Sequence, residues 1–168
     1  MQFLALGHTI RNEFVFLDGV ESMITFFKEL TGPTIAIFLA RTMLGLVFLM
    51  AGWWKTFTLT PAAHAQKNFI EGFKDHWIPD WLLWALGTAI PPFELVAGAL
   101  LMAGLWTRLI ASLTGLLLLL TTYGHVLQQP LFDIDGHTFT RLALILFVLM
   151  IPAQTDRLSI DGYRRNNG

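Results

Sequence analysis

The sequence predicts an all-α integral membrane protein, a four-helix bundle preceded by an amphipathic interfacial helix. Two observations lead to this prediction. The 168 residues are 54% hydrophobic but only 14% charged, and four long segments carry almost no charge. Soluble domains contain roughly a quarter charged residues, so much of this surface is expected to face lipid. Helices are expected because a backbone that crosses lipid must satisfy its hydrogen bonds internally.

Four apolar segments are the candidate spans, because crossing a bilayer takes about 20 mostly apolar residues. They comprise residues 35–54, 81–103, 109–127 and 139–153. The fourth is the shortest, and it spans only if Arg141 extends to an interface. A half-inserted helix is the alternative for this segment. Residues 104–107 predict a tight turn, which makes the second and third spans antiparallel neighbours.

An additional element precedes the first span. Between residues 14 and 30, apolar side chains recur at steps of three and four, with charged residues mostly between them. This spacing predicts an amphipathic helix, which either lies in the membrane interface or packs on a partner subunit. We therefore divide the chain into an N-terminal amphipathic segment (1–33), a transmembrane domain (34–161) and a polar tail (162–168).

Composition argues against several classes of function. A net charge of −1 disfavours nucleic-acid binding, which needs a basic surface. Cysteine is absent, so no disulfide and no cysteine-ligated iron–sulfur cluster is expected. Asp133, Asp135 and His137 alternate, but Asp-Gly is a common turn pair, and we predict no metal site there. We also expect no intrinsic cofactor.

Arg41 and Glu94 are the formal charges that lie well within the spans. Charged residues are costly there and usually mark function or pairing. With Trp54 and Trp81 taken as helix ends at one level, each charge lies 13 residues, or about 20 Å, from its tryptophan. Matched depth on antiparallel neighbours predicts an Arg41–Glu94 ion pair. The pair could fix helix packing, or it could form a polar site for a headgroup or a proton.

Small residues share helix faces with these charges. Gly45 and Gly52 follow Arg41 at helical spacing, and Gly98 follows Glu94 by four residues. Glycines in this arrangement allow helix backbones to approach closely in lipid. We therefore expect the first two spans to be in close contact.

Pro91 and Pro92 lie three and two residues before Glu94. Because proline lacks an N–H group, the carbonyls near Gly87 and Thr88 lose their helical partners. These carbonyls could receive a ligand hydroxyl, a water or a proton. A kink in which a neighbouring serine or threonine satisfies them is the alternative.

A second polar group is predicted near the other ends of the helices. Tyr123 and His125 lie near the end of the third span, where Lys55 and Arg141 from other helices are expected. Together these side chains could hold a quinone carbonyl, an anion or a lipid phosphate. An interfacial histidine that is simply hydrogen-bonded at the surface is the alternative for His125.

Lysine and arginine counts indicate the orientation. The side that would hold both termini and the Trp106 turn has six such residues, and the other has four. Cytoplasmic loops carry the excess of these residues, which predicts cytoplasmic termini. Four tryptophans would then form an aromatic belt at the outer interface, namely Trp53, Trp54, Trp77 and Trp81.

These patterns together resemble the DoxX family of small four-helix bacterial membrane proteins. The resemblance covers about residues 35–161, and its last part is the segment 157–161 after the fourth span. The other matching residues lie along the first two spans and in the turn after them. They are Arg41, Gly45, Phe48, Gly52, Lys55, Glu94, Gly98, Leu101, Gly104, Thr107 and Arg108. The family includes the small membrane subunit of a thiosulfate:quinone oxidoreductase. The resemblance therefore implies a bacterial inner-membrane location and a quinone or small-molecule site near Arg41 and Glu94.

Two functional hypotheses follow. In the first, the chain is an accessory or scaffold subunit of a larger membrane redox complex. In the second, it is a quinone-binding subunit of an oxidoreductase, in which Arg41 or Lys55 polarises a quinone oxygen and Glu94 handles a proton. A transporter is a third, weaker option. The expected partners are membrane lipid and other membrane subunits or further copies of the chain. The candidate site residues are Arg41, Lys55, Glu94, Arg108, Tyr123, His125 and Arg141.

Overall fold

The computed structural model describes residues 23–24, 30–129 and 138–167, and this part of the chain is helical without strands. Two short π-helical turns continue helices of this chain: Trp54–Thr58 continues the helix that ends at Trp53, and Ala65–Ile70 continues the helix that ends at His64. Most of the amphipathic helix predicted at 14–30 lies outside the described residues, as do Asp133, Asp135 and His137. The helices are α1 (Gly32–Trp53), α2 (Pro61–His64), α3 (Asp80–Ala103), α4 (Thr107–Gln128), α5 (Thr140–Met150) and α6 (Ile160–Asn167).

Three helical segments of the described chain are long and apolar enough to cross a membrane, namely Gly32–Thr58, Asp80–Ala103 and Thr107–Gln128. The fourth predicted span is the apolar helix α5, whose 11 residues cover about 16 Å. That length is short of the roughly 30 Å of hydrocarbon. α5 packs against α1 and α4 and buries Ile145 and Val148. The all-α membrane bundle is therefore confirmed, and its fourth helix, within the residues that the structure describes, is shorter than the other three.

The most extensive packing among the described helices is between α1 and α3. A Cβ atom added to Gly52 would overlap the backbone of Leu95, and one added to Gly98 would overlap the backbone of Leu49. The two backbones are thus in direct contact, which confirms the predicted role of the small residues. Beside this contact, Leu44 and Leu101 have no exposed surface.

The predicted Arg41–Glu94 ion pair is wrong, because the two helices pack in a different register. Gly52 lies against Leu95, which is 14 residues, or about 21 Å, from Trp81. Trp54 and Trp81 are therefore not at one level, since α3 extends well beyond the end of α1. The shift moves Arg41 towards the C-terminal end of α3 and brings a different cation beside Glu94.

The partner of Arg41 is Asp156, which follows the last apolar helix. The guanidinium Nε is 3.2 Å from the Asp156 carboxylate. Its other nitrogens donate to the backbone carbonyls of Leu101, Met102 and Leu158. Arg41 is fully buried, so these groups replace the water that its charge would otherwise need. Asp156 lies outside the spans. Burial raises the pKa of its carboxyl group, and the charge of Arg41 opposes that rise.

The predicted tight turn joins α3 to α4. Gly104 ends α3 with a φ of 69°, a conformation that favours glycine. The first backbone N–H groups of α4, at Trp106 and Thr107, donate to the Asp161 carboxylate at 3.0 and 2.8 Å. Asp161 belongs to α6, which thereby caps the start of α4. The same helix continues to Asn167 and so contains most of the segment predicted as a polar tail (162–168).

Arg108 also lies at this end of the bundle. Its guanidinium donates to the carbonyls of Leu149 and Ile151, where α5 ends. Thr34 near the start of α1 and Tyr163 of α6 line one surface cleft. The start of α1, the α3–α4 turn and the C-terminal helix therefore share one end, as the four-span topology predicted.

The predicted aromatic belt is only partly consistent with this packing. Trp53, Trp54, Trp77 and Trp81 are all exposed. However, the contact of Gly52 with Leu95 places Trp54 near the middle of α3, whereas Trp81 is at its beginning. The four rings consequently lie at two levels rather than one.

The α1–α3 contact predicts how methyl groups are tolerated. We expect Gly98→Ala to lower the free energy of unfolding by about 1–3 kcal/mol, because the methyl group would meet the backbone of α1. Gly115→Ala is the matched control, since the nearest atom to its added Cβ is the Ile145 side chain at 3.4 Å. Unfolding in detergent micelles, followed by circular dichroism, measures both. Equal stability of the two variants would contradict the close contact.

The Arg41 contacts generate a second prediction. Asp156→Asn should lower the free energy of unfolding by about 3 kcal/mol, because a buried guanidinium would lose its counter-charge. The same change at the exposed Asp75 should cost less than about 0.5 kcal/mol. The measurement is again unfolding in micelles. A loss at Asp156 no larger than that at Asp75 would show that the carbonyls alone satisfy Arg41.

Candidate functional site

A cavity of about 580 Å³ lies at the end of the bundle opposite the Trp106 turn. Its walls are the segment between α1 and α3, the first half of α3 and the last turns of α4. Lys55 reaches it from the end of α1. The lining residues in these elements include His64, Lys67, Phe69, Phe73, Trp77, Leu83, Leu86, Ile90, Leu120, Tyr123, His125 and Gln128.

The segment between α1 and α3 folds back onto α3. Thr60 turns the chain with a φ of 73°, and its hydroxyl accepts a hydrogen bond from the Ala63 N–H at the start of α2. Pro61 occupies the first position of this helix, where its missing N–H group has no cost. Ala65 then packs so closely on Gly87 that a side chain at Gly87 would overlap it. This contact fixes the cavity wall that the segment forms (the upper wall).

Lys55 and Glu94 form the ion pair at the inner edge of the cavity. The ammonium group is 2.7 and 3.0 Å from the two carboxylate oxygens. The Glu94 side chain is 5% exposed and the Lys55 side chain 25% exposed, so the ammonium group is the partner that reaches the cavity. An ammonium group has three donors, and one can serve a ligand while the others hold Glu94.

His64 donates a hydrogen bond to the backbone carbonyl that loses its helical partner at Pro91. Because Pro91 has no N–H, the Gly87 carbonyl lacks its helical donor. The Nδ1 atom of His64 is 2.7 Å from this oxygen. A carbonyl only accepts, so Nδ1 carries the proton and donates it. The predicted free carbonyl at Gly87 is therefore satisfied, and the donor is neither a ligand nor a serine or threonine.

The environment of His64 favours its neutral form. Burial lowers the pKa of His64, and the Lys55 ammonium group adds to this effect, while the Gly87 carbonyl and Glu94 oppose it. The ring packs against Phe69, with a centroid distance of 5.5 Å. His64 is thus a neutral ring held in one orientation in the cavity wall.

The last turns of α4 form the opposite wall. His76 in the loop before α3 donates through Nε2 to the Leu127 carbonyl at 3.1 Å, which ties this loop to α4. Gly124 faces the Phe73 ring. Tyr123 and His125 line the cavity between these contacts. The phenol and the imidazole add polar groups to a cavity whose lining as a whole is mainly apolar.

The structure brings together part of the predicted site. Lys55, Tyr123 and His125 line one cavity, and Glu94 lies directly behind Lys55. Arg141 is not among the lining residues, and its guanidinium lies over the Phe48 ring at 5.8 Å. Arg41 and Arg108, as described above, hold backbone carbonyls at the opposite end of the bundle.

Sequence reasoning missed His64, Lys67 and Gln128 as cavity residues. His64 was the one that could have been found. The paired prolines signal a carbonyl in need of a donor, and a histidine in the loop before α3 is a suitable donor. Lys67 and Gln128 carry no such signal, because polar residues in a loop or at a helix end are common.

This arrangement can bind and orient an amphipathic molecule. Ligand sites typically measure roughly 300–1,000 Å³ and combine apolar walls with a few placed polar groups. Here the apolar walls suit a ring or a prenyl chain. Lys55 can donate to an oxygen atom, while Tyr123 can donate or accept.

Comparison with known proteins agrees with the sequence pattern. No curated protein and no solved structure gave a significant match. The family model DoxX matches residues 36–126, which is more than half of the chain. The match includes all the residues from Arg41 to Arg108 on which the resemblance rests. It does not include the segment 157–161, so the likeness of that segment to the family stays a prediction. The chain is a small membrane protein that belongs to the DoxX family.

Proposed function

We propose that the chain binds a quinone-class ring in the cavity beside Lys55 and acts as a subunit without its own redox centre in a larger membrane oxidoreductase complex. The observation that carries this proposal is the cavity itself. It measures about 580 Å³, and the ammonium group of a partly buried ion pair forms part of its wall. A bundle that served only as a scaffold has no need of such a space.

The chemistry of the wall fits a quinone better than a phosphate. A quinone presents a flat apolar ring and neutral carbonyl oxygens, which need single hydrogen-bond donors. Lys55 supplies one such donor, and Glu94 already balances most of its charge. A phosphate carries about two negative charges and would be held best by several cations without counter-charges. Lys55 is already paired with Glu94, and Lys67, the second lysine of the lining, is exposed to solvent.

In this proposal each side chain has a distinct role. Lys55 donates to one ring oxygen, and Glu94 holds the ammonium group in place. Tyr123 and His125 contact the ring from the α4 wall. The quinone supplies the electron chemistry when bound, and the chain binds and orients it.

The accessory part of the proposal rests on the composition. The chain has no cysteine, so its residues offer no cysteine-held cluster for electron transfer. A partner subunit would deliver the electrons to a ring held here. We further propose that the complex lies in the bacterial inner membrane, with the Trp106 end of the bundle on the cytoplasmic side.

Removal of the Lys55 donor tests the cavity as a quinone site. We expect the double variant Lys55→Met, Glu94→Met to bind a short-tailed benzoquinone about tenfold or more weakly than the wild type, because a charged hydrogen bond is lost. Changing both partners avoids an unpaired buried carboxylate. Equilibrium binding to the chain in lipid nanodiscs measures the affinity.

Lys74→Met is the matched control, since Lys74 is exposed and is not among the lining residues of this cavity. Its affinity should stay within about twofold of the wild type. Thermal unfolding of all variants checks that the bundle is intact. A folded double variant with wild-type affinity would exclude Lys55 as a ligand donor.

The accessory role predicts a heteromeric assembly. Native mass spectrometry of the chain extracted from its own membranes should show a complex that contains a second protein with a flavin, haem or iron–sulfur group. A chain found only alone, or only with further copies of itself, would contradict the accessory role. That result would leave quinone binding to be judged by the previous experiment.

A further inference from the structure

His64 presents a hydrogen-bond acceptor at a defined place in the cavity wall. Its Nδ1 atom carries the proton, because it donates to the Gly87 carbonyl at 2.7 Å. In a neutral imidazole the other nitrogen then has a lone pair. Nε2 is therefore the ring nitrogen left for a ligand, and it can accept a hydrogen bond but not donate one.

The surrounding contacts keep this acceptor in place. Gly87 is held against Ala65, the residue that follows His64, so the carbonyl and the ring move as one unit. Phe69 packs on the ring from the cavity side of the same segment. Only 6% of His64 is exposed. A ring fixed in this way cannot easily turn over to present a donor instead.

The same wall contains a donor of opposite character. The Lys55 ammonium group only donates, since it has no lone pair. Both groups line one cavity, so a ligand between them meets a fixed acceptor and a charged donor. An oxidised quinone has only acceptor oxygens and cannot satisfy Nε2. A hydroquinone has hydroxyl groups, which can donate to Nε2 and accept from Lys55.

We propose that His64 makes the cavity selective for the hydroxyl form of its ligand, a hydroquinone-class ring whose hydroxyl donates to Nε2. This inference rests on the proposed function, because it concerns the same cavity. It concerns binding alone. In this arrangement His64 is a specificity-determining residue, and Gly87 and Pro91 act through it by fixing which nitrogen carries the proton.

The test compares the two oxidation states of one ligand. A short-tailed benzoquinone and its hydroquinone are titrated separately, without oxygen, into the full chain in lipid nanodiscs. The wild type should bind the reduced form about tenfold or more tightly, because the oxidised form leaves a buried acceptor unsatisfied. The hydroquinone dimethyl ether, which keeps the ring but lacks hydroxyl donors, should bind as weakly as the quinone.

His64→Asn separates the two roles of the histidine. The asparagine amide can still donate to the Gly87 carbonyl from the position of Nδ1, but it has no acceptor at the position of Nε2. The variant should bind both forms with equal affinity and should bind the quinone as the wild type does. Lys74→Met, at an exposed residue that does not line the cavity, is the control, and it should keep the preference for the reduced form.

A measurement on the unmodified protein covers the case in which His64→Asn does not fold. Nitrogen-15 NMR of labelled histidine should show for His64 a neutral ring protonated at Nδ1, whose Nε2 signal shifts when the hydroquinone binds and not when the quinone binds. No shift with the hydroquinone would overturn the inference.

The outcomes separate this inference from the proposed function. If the wild type binds neither form, both fail. If it binds both forms equally, the cavity is a quinone site without the selectivity proposed for His64. If it prefers the reduced form but folded His64→Asn keeps that preference, another residue is the acceptor and the inference is wrong.

Discussion

The direct contact between the backbones of α1 and α3 determines the other polar contacts of the bundle. Gly52 and Gly98 allow this contact, and it sets the register of the two helices. From that register follow both ion pairs, since Lys55 then lies beside Glu94 and Arg41 lies at the end of α3. In lipid no water can solvate an unpaired charge, so the helix register and the pairing of the charges depend on each other. A bundle packed in another register would separate Lys55 from Glu94 and Arg41 from the end of α3.

The two ends of the bundle use their charges differently. At the Trp106 end, Arg41 and Arg108 bind backbone carbonyls where α3 and α5 end, and Asp161 binds the first N–H groups of α4. Those contacts join helix ends and are made between groups of the protein itself. At the opposite end, Lys55 is held by one carboxylate and keeps part of its surface in a cavity. We therefore regard the first end as the structural anchor and the second as the candidate binding site.

Hydropathy and small residues were enough to predict the three long helices, the α3–α4 turn and the close helix contact, because each of these depends on local sequence. The register was not predictable in the same way. Trp54 and Trp81 looked like matching ends, but nothing local indicates that α3 continues beyond α1. The partner of Arg41 was also missed, since Asp156 lies after the last apolar helix and is more than a hundred residues away. Lys55, Tyr123 and His125 were grouped correctly because all three lie near helix ends on one side.

The upper wall of the cavity is a connection between two helices and not part of the helix packing itself. It packs along α3, with contacts that include the close approach of Ala65 to Gly87, and a hydrogen bond from His76 ties it to α4. Connections of this kind can change in sequence and length with little effect on the scaffold that carries them. A change confined to this one connection would therefore alter what the cavity holds, while the buried glycines of the bundle keep their packing.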